Sequence, residues 1–112
     1  MKILIPIMNN NSFQSEISLH FGHAPFFAIY DSEEKNLEIF KNNLNHSDPK
    51  SSPVDQLISY NFNSIYVKDI GQRAINLFKE KNIKLKTGNY NVIQEIIDNI
   101  DSLKELEKGC GH

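Results

Sequence analysis

The segment Ile3-Leu4-Ile5-Pro6-Ile7 is apolar at every position. A short run that is apolar on both faces fits a central strand with cover on either side of the sheet. Pro6 has no N–H for a ladder hydrogen bond, so it belongs near the strand's end or at a bulge. This one strand excludes a two-sided polar sheet and asks the rest of the chain to supply helices.

The chain answers with a mixed pattern. Residues 9–18 are polar and read as a loop. Residues 26–31 read as a second buried strand and residues 32–36 as a turn. Residues 37–41 alternate and read as a third, more exposed strand, so strands two and three form an antiparallel hairpin. After a polar loop over 42–51, Ser52 suits an N-cap, Pro53 the first helical position and Asp55 the position three past the cap. Val54, Leu57 and Ile58 make that helix's apolar stripe. Residues 61–63 end it.

Residues 64–68 are a fourth strand, and Asp69-Ile70-Gly71 leads into a second helix over 72–81, with Ala74, Leu77 and Phe78 inward. Residues 83–87 alternate with lysines outward, which suits a fifth strand at a sheet edge. A third helix follows, with Asn91 as cap, Gln94 at the box position and Val92, Ile93, Ile96, Ile97 and Ile100 on its apolar face. Asp101-Ser102 breaks it. Residues 103–108 are expected to add a short helix before a tail, Gly109-Cys110-Gly111-His112, so that 101–112 forms a flexible end.

A β-α-β crossover makes its strands parallel with a right-handed connection. Strands three, four and five are therefore parallel, strand two is antiparallel to them, and strand one sits between two and four. The expected architecture is α/β, with a five-stranded mixed sheet in the order 3-2-1-4-5 and strand 2 antiparallel. The loops after strands one, three, four and five then share a rim with the loop before strand two. Ligands of open α/β sheets sit on such a rim.

Composition narrows the function classes. At 112 residues, 39% hydrophobic and 23% charged, the sequence reads as one domain over 1–112. Net charge is −2 with scattered lysines, so nucleic acid is a poor partner. No apolar run reaches the ~20 residues of a membrane span. The first residues lead to Asn9-Asn10-Asn11 with no small-residue cleavage site, so they read as a strand rather than a leader. Cys110 is the only cysteine, which excludes an internal disulfide and suits a cytoplasmic location. No Ser–His–Asp or Walker pattern occurs, and strand one carries no acid for a two-metal nuclease.

Three of the four histidines fall on the rim. His20 and His23 stand three apart in the loop before strand two, and His46 lies in the loop after strand three. Imidazole suits iron and other first-row metals. His20 can equally shape its loop by hydrogen-bonding backbone, with Gly22 allowing the turn, and His46 can simply be solvated. Gly71 precedes a helix whose free N–H groups can cradle an anion, with Arg73 assisting. Cys110 offers one soft thiolate, where an ordinary iron–sulfur site needs four. A cluster would then be held loosely, shared between copies, or partly held by histidine.

The pieces Met1-Lys2-Ile3-Leu4-Ile5-Pro6, His20-Phe21-Gly22-His23-Ala24-Pro25-Phe26-Phe27, Ile70-Gly71-Gln72-Arg73-Ala74 and Gly109-Cys110-Gly111-His112 together resemble the dinitrogenase iron–molybdenum cofactor family, nitrogenase accessory and cofactor carrier proteins. His23 stands where that family usually has arginine. The resemblance implies a ribonuclease-H-like three-layer domain. It also implies non-catalytic binding or carriage of an iron–sulfur or iron–molybdenum cluster, or its precursor. Cofactor contacts are then expected from His20, Gly22, His23, His46, Gly71 and Arg73, with His20, His23, His46 and Cys110 as metal ligands and a protein partner in cofactor assembly. The alternative is a metal-free regulatory or interaction domain binding a small anion or a protein at the same rim. A small enzyme using His20 as acid–base lacks a nucleophile beside it.

Overall fold

The computed structural model describes residues 1–44 and 53–106, the side chains of Pro53 and Val54 excepted. The elements run β1 (Lys2–Ile7), a 3-10 turn (Ser12–Gln14), β2 (Phe26–Asp31), β3 (Asn36–Lys41), α1 (Pro53–Ile58), β4 (Ser64–Tyr66), α2 (Gln72–Glu80), β5 (Lys84–Thr87), α3 (Ile93–Asp98), a 3-10 turn (Ile100–Ser102) and β6 (Lys104–Glu105). They form one mixed sheet ordered β3-β2-β1-β4-β5-β6. β1 is antiparallel to β2 and parallel to β4, β4 is parallel to β5, and the β2–β3 hairpin is antiparallel.

Alternation along β1 builds two cores. Leu4 points to one face, with Phe27, Ile29, Ile65, Val67 and Leu85, and is covered by Leu57 of α1 and Ile75 and Phe78 of α2. Ile3, Ile5 and Ile7 point to the other, with Ala28, Tyr30 and Tyr66, under Ile93 and Ile96 of α3. All four β1 side chains are fully buried. Pro6 is accommodated as its chemistry requires. The ladder to β4 stops at Leu4, and beyond it the Pro6 carbonyl accepts the Ser18 N–H at 2.9 Å.

Among the described residues the sheet has six strands, not five. The expected short helix over 103–108 is replaced by β6 on the outer side of β5. Leu103 packs into the α3 core while Leu106 packs against the α1/α2 core. Two apolar residues on opposite faces call for an extended chain, which crosses the sheet edge between them. Lys86 thereby loses its place on an open edge and pairs with Glu105 at 3.4 Å. The segment 9–18 is also more ordered than a polar loop. Ile17 bridges Ile7, and Glu16 bridges Val92 at the start of α3. Buried Ser15 accepts the Asn11 N–H at 2.7 Å and donates to the Ser12 carbonyl at 2.7 Å.

Helix starts differ in detail from expectation. α3 begins at Ile93, so Glu95 rather than Gln94 reaches back, accepting the N–H groups of Asn91 at 2.9 Å and Val92 at 3.3 Å. Valine has no oxygen to return the bond, so only the glutamate half of a capping box is present. Gln94 instead donates to Asp98 at 2.9 Å. Ser52, the expected cap of α1, lies outside the described residues.

Phe27→Ala should cost about 3–5 kcal/mol, because it empties a fully buried site between β2 and the helices. Glu105→Ala should cost less than about 1 kcal/mol, because the acid is 68% exposed. Equilibrium urea unfolding of both variants checks the contrast.

Candidate functional site

The rim is assembled from three loops that hydrogen-bond to one another. Phe21 anchors the first. Its ring is buried against Phe27, 5.9 Å between centroids, and edge-on to Phe78 at 5.5 Å. Ala24 is buried beside it. His20 and His23 flank this anchor and are exposed. The buried Ser18 hydroxyl shapes the approach, accepting the His20 N–H at 3.2 Å and donating to the His20 carbonyl at 3.1 Å.

Asn42, just past β3, clamps the same loop from the other side. Its amide nitrogen donates to the Ala24 carbonyl at 2.7 Å and the Gly22 carbonyl at 3.1 Å. Its amide oxygen accepts the Leu44 N–H at 2.9 Å, and its own N–H donates to the Pro25 carbonyl at 3.0 Å. Both amide N–H groups are thus spent on fixing the histidine loop to the end of the hairpin, while the amide oxygen turns the chain at Leu44. Sequence reasoning missed Asn42 and Ser18. Asparagine in a polar stretch carries no sign that its partners lie eighteen and twenty residues away.

On the β4 side, His20 forms a parallel bridge with Asp69. That contact sets the histidine loop directly beside the entry to α2. Ile70 is buried and fixes that entry, while Asp69, Gly71 and Arg73 are exposed. Gly71 caps α2 with φ −71° and ψ 155°, and a Cβ built there would meet nothing within 4 Å. The glycine is therefore not required by backbone strain. The open space over the first turn of α2 is the notable feature.

The turn after β5 is held from inside the sheet. The Tyr66 hydroxyl donates to the Gly88 carbonyl at 2.9 Å and accepts the Tyr90 N–H at 3.4 Å. Burial, the largest cause, raises the Tyr66 phenol above the ordinary tyrosine range, with the bond to the Tyr90 backbone opposing and the Tyr90 and Glu95 charges adding. Gly88 is tight: an added Cβ would lie 2.5 Å from the Tyr90 ring.

The fold therefore puts His20, Gly22, His23, Gly71 and Arg73 at one end of the sheet, with His20 directly bridged to Asp69. His46 and Cys110 lie outside the described residues. Among the described residues, no three His, Cys, Asp or Glu side chains gather as a metal-binding group. His20 and His23 could supply two imidazole donors, and any further ligands must come from elsewhere.

The sequence model of the family described as dinitrogenase iron-molybdenum cofactor matches residues 1–103. An uncharacterized protein of Methanocaldococcus jannaschii is 31% identical over 102 residues, which cover 87% of this chain and 82% of that one. A Thermotoga protein provisionally described as a NifB protein has a similar solved structure. Its TM-score is 0.75 at 27% identity, covering 94% of this chain and 92% of that chain. The apo form of the orange protein from Desulfovibrio gigas superposes with a TM-score of 0.81 at 12% identity, covering 96% and 93%, a likeness of fold alone.

Asn42→Ala should lower stability by about 1–3 kcal/mol, since it leaves two carbonyls and an N–H without partners. Hydrogen exchange should report faster opening of residues 20–24 while β1 keeps its protection. Tyr66 makes a second prediction. A raised phenol pKa means the folded state holds that proton more tightly than the unfolded chain. Its contribution is fully present below about pH 10 and is lost as pH rises through the folded value. Urea unfolding at several alkaline pH values should show a shallower decline for Tyr66→Phe, with a loss of about 0.5–1.5 kcal/mol at neutral pH from the missing bond to Gly88.

Proposed function

Because the chain belongs to the dinitrogenase iron–molybdenum cofactor family, we propose that it binds an iron–sulfur or iron–molybdenum type cluster, or a precursor of one, and passes it on unchanged. The cluster is cargo, and the protein is not an enzyme. One observation supports this site above the others: the His20–Asp69 bridge, which sets exposed His20 beside the entry to α2, with exposed His23 three residues further along the same loop.

In this reading His20 and His23 donate imidazole nitrogen to iron. The N–H groups at Gly71 and the Arg73 guanidinium stabilise the negative charge of a thiolate- or sulfide-rich cluster. His46 and Cys110 complete the ligand set. Few protein ligands on an exposed rim suit a carrier, which must release what it holds. A donor or acceptor protein of cofactor assembly then meets the chain at this rim. The unit is a single ribonuclease-H-like domain working in the cytoplasm. Among the described residues no helix is long and apolar enough to cross a membrane.

A second reading starts from the open first turn of α2 at Gly71, beside exposed Arg73. Here the rim binds a small anion or a protein partner without metal.

Anaerobic loading with iron and sulfide separates these readings. We expect stoichiometric uptake with visible charge-transfer absorption, lost in a His20→Ala/His23→Ala variant that folds normally. Equal uptake by the double variant would remove the histidines from the site. No uptake from iron and sulfide, together with no uptake of a preassembled molybdenum-containing cofactor, would leave the metal-free reading.

A further inference from the structure

The rim leaves one long element of the fold unused. Among the described residues β3 ends the sheet, with a neighbouring strand on one side only. It is paired with β2 over its whole length, Asn36 to Lys41, without a bulge or a proline. The Asn42 N–H bonds to the Pro25 carbonyl, and this sets the phase of the ladder. Residues 36, 38 and 40 direct their main-chain groups to β2, and Leu37, Ile39 and Lys41 direct theirs outward. Along this edge Leu37, Ile39 and Phe40 are only partly buried. Tyr60, 42% exposed, stacks on Phe40 with centroids 4.2 Å apart and 11° between planes.

We propose that this edge pairs with β3 of a second copy of the chain, antiparallel, about a twofold axis through Ile39. Only certain registers keep side chains on matching faces while joining outward groups to outward groups. The register centred on Ile39 sets Leu37 of one copy opposite Lys41 of the other, and Ile39 opposite Ile39. It gives a partner to every outward N–H and carbonyl within the strand. Centring on Glu38 would oppose Glu38 to itself at the closer, non-hydrogen-bonded spacing, and Lys41 to Lys35 just before the strand. Centring on Phe40 would leave Leu37 facing Asn43, beyond the strand. In the Ile39 register no like charges stand directly opposite, and the Lys41 stem lies along Leu37 of the other copy. Glu38 meets the edge of the Phe40 ring.

The interface is one strand wide, so association is weak and concentration-dependent. The twofold axis is normal to the sheet and reverses strand direction. The two rims therefore face opposite ends of a continuous sheet, and each copy keeps its own site. This inference stands apart from the cluster reading.

Sedimentation velocity tests it on the unloaded chain between about 10 µM and about 1 mM. The mass should rise from 12.9 kDa towards twice that value. Amides of Leu37, Ile39 and Lys41 should exchange several-fold more slowly in concentrated than in dilute samples. Ile39→Lys, which opposes two ammonium groups across the axis, should weaken association at least tenfold; because Ile39 packs against the α3 core, urea unfolding of the dilute variant checks that it is still folded. A monomer throughout the range would overturn the proposal. So would a dimer whose β3 amides exchange as in the monomer, or one that Ile39→Lys leaves intact.

Discussion

The pairing of β1 on both of its edges is the constraint on which the rest depends. β2 takes one edge antiparallel and β4 takes the other parallel. Alternating isoleucines and Leu4 then nucleate a core on each face. This arrangement puts the ends of β1, β3, β4 and β5 and the start of β2 on one rim. Polar loops can gather there without disturbing either core. The division of labour is physical: burial holds the sheet, and a few main-chain-directed side chains hold the loops.

Those loops are fixed more firmly than exposed polar segments usually are. Phe21 is inserted into the α1/α2 core, Asn42 clamps two carbonyls, and Ser18 closes the turn at His20. A site built this way can present exposed side chains from a rigid backbone. Binding then costs little ordering entropy in the main chain, and the affinity is set by the donors themselves. In the proposed reading, two imidazoles and an open helix start hold a cluster by few ligands on an exposed rim, from which it can be released.

Much of this was legible from the residues. The hairpin and the crossover rule determine strand order, and strand order determines which loops meet. The 3-2-1-4-5 order therefore followed from local patterns, and it survives as the first five positions of the observed sheet. β6 was not legible because two residues carry no period, and because the spacing of Leu103 and Leu106 imitates one helical turn. The order within 9–18 was hidden for another reason. Its local bonds at Ser15 leave no apolar period, and the bond that ties it down, from the Ile17 N–H to the Asn91 carbonyl, runs far along the chain. The positions of His20, His23, Gly71 and Arg73 on the rim were readable. The side chains that hold the rim in shape were not, since Asn42 and Ser18 act through partners that only the folded chain brings near.

The proposed function puts histidine nitrogen of this rim on the iron of a metal cluster. Pulsed electron paramagnetic resonance on the reduced, cluster-loaded protein labelled with nitrogen-15 histidine tests it most directly. Hyperfine coupling to imidazole nitrogen is expected, and it should disappear in the His20→Ala/His23→Ala variant. A paramagnetic cluster bound with no coupling to histidine nitrogen would contradict it.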